Sequence, residues 1–262
     1  MKLSNIKLSL KRNIGKIWPA NDKARKVILL YHSVGESIWA SKESIFTDQI
    51  KWLYDHSPIL SLTDLVNSQS AELEIAITFD DGYQSLYEKA MPIFLDKKIP
   101  ATVYINTGWM SDHVSTRKKS ISDLGHYPNE YFLTWDEICE LDQAGWEIAS
   151  HGVNHHNFVE KSHDVVRQEC IASKYAIEER LNKSCLHFSY PWGQYSMQVK
   201  KIVRECGYQY AAAARHGSIT HTTDLFALPR INIARGYSLN DFKHIVYGKW
   251  DYLSLLHKAK GL

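Results

Sequence analysis

The chain has 262 residues, a formal net charge of +2, 44% apolar and 23% charged residues. That suits one large α/β domain with a substantial core, and the near-neutral balance, with no basic cluster in the body, excludes a nucleic-acid-binding class. Cys139, Cys170, Cys185 and Cys206 are far apart with no Cys-x-x-Cys pair, which excludes a disulfide framework and leaves packed free thiols.

Residues 1–26 read as a basic amphipathic segment and linker, and residues 27–262 as the main domain. Leu3, Ile6, Leu10, Ile14 and Ile17 recur at three- and four-residue steps, while Lys2, Lys7, Lys11, Arg12 and Lys16 lie largely elsewhere around the helix. Trp18 closes this segment and Pro19 ends it. Such a helix suits peripheral contact of residues 1–18 with an anionic membrane, or packing against the domain, and the sequence leaves both readings open. No run reaches transmembrane length, and the N-terminus lacks the uninterrupted apolar core and cleavage site of a secretory signal. A cytoplasmic protein is expected, with peripheral placement at the inner membrane face as the variant of that reading.

Residues 27–31 form a first buried strand, with His32 at its C-terminal end, and residues 46–56 fit a helix. Residues 75–79 form a second strand that ends in Thr78-Phe79-Asp80-Asp81-Gly82. Neighbouring side chains on extended backbone point to opposite faces, but Gly82 permits a sharp turn that brings both carboxylates to one pocket. A helix over 85–97, interrupted near Pro92, precedes a β-branched strand over 101–105. Residues 108–133 are polar and irregular and are expected to overhang a cleft, with His113 and His126 facing solvent.

Thr134 and Glu137 make a capping box that opens a helix, and Gly145 ends it. A short strand over 146–149 leads into Ser150-His151-Gly152-Val153-Asn154-His155. His151 and His155 have the spacing of one face of a helical turn. A helix over 162–182, a strand over 185–190, a helix over 196–206, a small-residue strand over 210–214 and a last strand over 228–233 follow. Strands alternating with helices predict parallel βα units, whose sites lie at the strands' C-terminal ends, where both motifs fall.

One carboxylate and two imidazoles make a ligand set that suits Zn²⁺ and leaves positions open for water and substrate. The second carboxylate is then free to act as a base, which points to metal-assisted hydrolysis. His156, beside His155, is a rival ligand if the segment turns differently.

These segments resemble the polysaccharide deacetylases of the NodB-homology type, carbohydrate esterase family 4. The first motif matches Thr78 to Gly82 in full, the second matches Ser150 to His155, and the third matches in part at Phe188-Ser189-Tyr190-Pro191-Trp192-Gly193. The resemblance runs from about Val27 to about Ile233 and implies a distorted, NodB-like (β/α) barrel of about seven parallel strands. It implies removal of N-acetyl groups from an amino sugar in a glycan or glycan precursor. The cofactor is a divalent metal ion, Zn²⁺ first, with Co²⁺ or Ni²⁺ as alternatives.

Carried over by position, Asp80 is the base, Asp81, His151 and His155 hold the metal, and the backbone N–H of Trp192 meets the developing oxyanion. Tyr190, Pro191, Trp192 and Gly193 form the substrate-binding turn. Two departures stand out. Ser189 occupies the place of an Arg that orients the base, and Arg230, in Leu228-Pro229-Arg230, is the candidate replacement from a neighbouring strand. Leu255-Leu256-His257 has the letters of the family's general-acid motif but lies past the last strand, so His32 is preferred as the acid. Tyr31-His32 and the Leu-Pro-Arg strand resemble the branch associated with exopolysaccharide de-N-acetylation. A metal amidase on a small non-sugar amide and a non-catalytic glycan-binding module are the other functions these residues allow.

Overall fold

In the computed structural model, which describes residues 3–21, 25–120 and 129–259, seven parallel strands carry the architecture. They are β1 (Lys26–Tyr31), β2 (Glu74–Asp81), β3 (Thr102–Ile105), β4 (Glu147–Ser150), β5 (His187–Ser189), β6 (Tyr210–Ala212) and β7 (Ile231–Asn232). Their order across the sheet is β6-β5-β4-β3-β2-β1-β7, a curled half-barrel as expected. Leu228 also bridges Ala212, three residues before β7 pairs with β1. The expected strand over 228–233 is thus split at Pro229, which has no N–H to give a ladder.

The strand pleat sorts two cores. Val27, Leu29, Tyr31, Ile75, Ile77 and Phe79 pack outward into the large cluster beneath the helices. Ile28, Ala76, Tyr104, Ala149 and Ala212 belong to a separate inner cluster, where small side chains suit the narrow barrel interior. Continuing these inner rows by steps of two toward the C-terminal ends reaches His32, Asp80, Asn106 and His151. Alternation alone therefore aims four polar residues at one mouth.

Helices α1 (Leu3–Ile17), α2 (Glu43–His56), α3 (Leu62–Asn67), α4 (Met91–Lys97), α5 (Trp135–Gln143), α6 (His163–Leu181), α7 (Met197–Glu205), α8 (Leu239–Val246) and α9 (Tyr252–Ala259) surround the sheet. The expected helix over 85–97 is a π-helical turn, Leu86–Ala90, followed by α4 with Pro92 in its first turn, where a missing N–H costs nothing. The capping box at Thr134 is formed. The sequence reading did not anticipate α3, α8 or α9. Ser238 and Asp241 make a second capping box at the start of α8, a signal obscured by the polar residues of that helix.

Packing against the domain, one of the two readings of the N-terminal helix, is what the fold displays. Arg12 donates to both oxygens of Asp241 at 2.8 and 2.6 Å, Lys11 Nζ to Tyr237 Oη at 3.0 Å, and Tyr252 Oη to the Lys11 carbonyl at 3.0 Å. All four cysteines are free thiols.

Candidate metal centre and catalytic site

β2 runs through both carboxylates, and the turn begins at Asp81 itself, with φ 75° there and 73° at Gly82. An extended residue at 81 would point away from the barrel. The left-handed backbone swings its carboxylate back beside Asp80 instead. Both are buried.

The histidines arrive by a route other than the expected helical turn. His151 directly follows β4, but residues 151–157 are irregular, with φ of 81° at Gly152 and 55° at His155. Left-handed backbone at two of these residues precludes a helix. The loop nevertheless returns His155 to His151, with ring centroids 4.9 Å apart. The Nε2 atoms of His151 and His155 lie 3.6 and 3.5 Å from Asp81 Oδ1. One ligand atom from each of Asp81, His151 and His155 falls within 4.8 Å of the others.

Glu169 shapes this loop from α6. Its Oε2 accepts from the backbone N–H groups of Val153 at 2.7 Å and Asn154 at 2.9 Å, and its Oε1 accepts from Asn154 Nδ2 at 2.8 Å. His156, the rival ligand, is directed to Glu169 at 3.7 Å and is 37% exposed in its side chain. The structure therefore groups His155, rather than His156, with the other two.

Asp80 is held differently. Arg230 Nη1 and Nη2 donate to its two oxygens at 2.7 and 2.8 Å, while Nη2 also reaches Ser189 Oγ at 2.8 Å. Ser189 Oγ in turn donates to Asp80 Oδ2 at 3.3 Å. The small serine leaves room for a guanidinium from the β7 side, and Arg230 Nε is anchored on the Ala213 carbonyl at 3.1 Å. Burial pushes the Asp80 carboxyl up, but Arg230 and then His151 outweigh it and hold the group well below the usual carboxylate range. Burial likewise raises Asp81, and His155, His32 and His151 bring it net downward.

His32 follows β1 and faces both carboxylates. Burial pushes its pKa down, partly opposed by Asp81 and then Asp80. Trp192 has φ 63° in the Pro191–Gly193 turn, and its indole, 54% exposed, lies 5.6 Å from the His155 ring. A Cβ on Gly193 would fall 2.3 Å from Ala214 Cβ, so only glycine completes this turn. The expectation for Tyr190 is corrected. It is fully buried and its hydroxyl donates to the Phe226 carbonyl at 2.9 Å, so it supports the turn from below and cannot touch a glycan. Pro191 is buried as well. His113 is exposed, His126 lies outside the described residues, and Leu255 and His257 lie on α9.

Sequence reasoning missed Asn106, Trp109 and Glu169. Asn106 Nδ2 approaches Asp81 Oδ1 at 3.4 Å, and Trp109 packs 5.4 Å from His155. Glu169 carried a readable signal, since it shares the apolar face of α6 with Val166, Cys170 and Ile177, and a carboxylate there needs partners.

The donor set fits a divalent cation. Asp81 Oδ2 is buried and has no hydrogen-bond partner among the described residues, the kind of orphaned acceptor a cation satisfies. His151 Nδ1 is bonded to the Ser189 carbonyl at 2.8 Å. That bond places the proton on Nδ1 and frees the Nε2 lone pair for a ligand role.

A family model described as polysaccharide deacetylase matches residues 67–211. The chain is 26% identical over 246 residues to the putative polysaccharide deacetylase YxkH of Bacillus subtilis, covering 90% of this chain and 82% of that protein. It is 24% identical over 227 residues to the poly-beta-1,6-N-acetyl-D-glucosamine N-deacetylase of Staphylococcus aureus, covering 81% and 72%. The structure of the Streptococcus pyogenes deacetylase PplD in complex with acetate shares the fold, with a TM-score of 0.74 at 23% identity over 86% of this chain and 99% of that one.

Proposed function

The chain belongs to the polysaccharide deacetylase family, and on that premise we propose that it hydrolyses N-acetyl groups from amino-sugar residues of a glycan, with a divalent cation, Zn²⁺ first, held by Asp81, His151 and His155. The observation that carries this reading is the division of labour between two adjacent carboxylates. Asp81 is grouped with two imidazoles, while Asp80 is held by Arg230 and left to act on a proton.

A bound divalent cation supplies acidity to a nearby water and polarises an acetyl carbonyl. Asp80 accepts the proton of the attacking water, and Arg230 fixes the plane of that carboxylate. The Trp192 turn offers a backbone N–H to the negative charge that develops on the acetyl oxygen. His32 delivers a proton to the departing amine nitrogen, so water and amide become acetate and amine.

The exposed Trp192 indole beside His155 favours a sugar over a small non-sugar amide, because an aromatic face stacks on a pyranose ring. A cleft of about 450 Å³ among the segments that follow β1 and β2, lined by Glu36, Gln84, Glu88, Lys89 and Glu130, would give a chain substrate room to continue. The Staphylococcus aureus relative makes oligomers of β-1,6-linked N-acetylglucosamine the first substrates to test. Protein reconstituted with Zn²⁺, Co²⁺ or Ni²⁺ should release acetate from them. No acetate from these or from chito- or muro-oligosaccharides would overturn the reading.

A further inference from the structure

α1 carries apolar side chains on two sides, and only one of them packs on the domain. The docked side packs Leu8, Ile14 and Trp18 on the core, Arg12 pairs with Asp241, Lys11 reaches Tyr237, and Gly15 meets the Trp250 indole so closely that a Cβ would fall 2.5 Å from Nε1. On the other side Ile6, Leu10 and Ile17 are 47, 59 and 84% exposed. A surface helix stabilised only by its own domain would bury that stripe.

The exposed edge continues onto the loop after β1. Ile38 and Trp39 are 65 and 58% exposed, and they share a groove of about 1040 Å³ with Lys7, Leu8, Lys11 and Lys42. This loop is fixed, because Arg235 Nη1 donates to the carbonyls of Gly35, Ser37 and Ala40 at 2.8, 2.7 and 2.7 Å. Residues 1–20 hold five basic side chains and no acidic one. The nearby acids, Glu36 and Glu43, are paired with Arg235 and Lys89. Among the described residues no helix is long and apolar enough to cross a membrane.

We propose that the outward edge of α1, together with Ile38 and Trp39, is a docking face for an anionic lipid bilayer, with α1 lying in the plane of the interface. Exposed apolar side chains flanked by lysines are what such an interface binds, through apolar burial and attraction to anionic headgroups. The Ile38 loop begins at the catalytic mouth, six residues after His32, so docking would hold that mouth beside the bilayer. The face stands independently of the reaction assigned to the site.

The test is co-sedimentation of the full chain with vesicles of phosphatidylcholine containing phosphatidylglycerol. The wild type should pellet with them, and about tenfold less with phosphatidylcholine alone. Leu10→Glu/Ile17→Glu should remain in the supernatant while keeping the wild-type melting temperature and hydrolysis of a soluble acetylated oligosaccharide. Trp39→Ala, on the separately anchored loop, should lose several-fold in pelleting even if the helix variant misfolds. The proposal is overturned if the wild type ignores anionic vesicles or if both variants pellet as the wild type does. It is equally overturned if the wild type forms a lipid-free dimer that the helix variant disperses, because a second copy would then be the occupant.

Discussion

Arg230 and Asp80, 150 residues apart in the chain, meet as a buried two-pronged ion pair with oxygens 2.7 and 2.8 Å from the guanidinium nitrogens. The pair fixes the carboxylate plane, but it also draws down the basicity of the group it orients. That trade suits a base that takes a proton from water already made acidic. It would not suit one acting on water alone.

Arg230→Lys therefore replaces a planar fork by a point charge and frees the Asp80 plane. We expect kcat to fall by roughly 10–100-fold with KM little changed, because the loss is in the transition state. Steady-state kinetics on an acetylated oligosaccharide check this, and an unchanged kcat would remove Arg230 from the reaction.

Asp80→Asn and Asp81→Asn should separate. The first abolishes turnover with metal content intact, and the second loses the metal together with the activity. Elemental analysis of the purified variants decides, and loss of metal from Asp80→Asn would make Asp80 a ligand.

Glu169→Ala removes the acceptor of three hydrogen bonds that hold the His155 loop. Metal affinity should fall by roughly 10–100-fold, the usual effect of losing a supporting partner. Calorimetric titration with Zn²⁺ is the measurement, with retained cooperative melting as the control for folding.

His187 supplies a pH dependence of stability. It is buried with Nε2 on Thr63 Oγ1 at 2.9 Å, and burial pushes its pKa down to about 4, with Glu147 opposing in part. The unfolded chain, with an ordinary imidazole near 6.5, binds more protons than the native one between about pH 6.5 and 4. Stability is therefore complete above pH 6.5 and falls on acidification through that window, by on the order of 3 kcal/mol. Urea midpoints at pH 7 and pH 4.5 should show the drop, and His187→Gln should flatten it.

The strands and the residues at their ends were legible in the sequence, because long apolar runs and fixed motifs are local signals. The joining of Asp81 to two histidines was legible as chemistry but not as geometry. Four-residue spacing suggested a helical turn, whereas left-handed backbone at Gly152 and His155 and the Glu169 contacts bring the rings together. Arg230 was reached through the family resemblance, which implies an orienting Arg where Ser189 stands, since nothing local marks a contact between β2 and the segment before β7. Tyr190 was misread because the motif leaves the strand for a turn at Pro191–Gly193, which keeps Tyr190 and Pro191 buried beneath it and turns Trp192 outward. Helices α3, α8 and α9 are short, and their stability comes from docking, which sequence periodicity conveys poorly.

Asp81, His155 and Trp192 all sit in the left-handed region, each at a cost of roughly 1–2 kcal/mol. Lys98 and Asn182 hold the same conformation at the far end of the barrel, where α4 and α6 give way to β3 and β5, but there the tension bears on no reacting group. Efforts to harden the protein against heat have free rein at that far end, whereas relaxing any of the first three backbones would blunt the tool they hold.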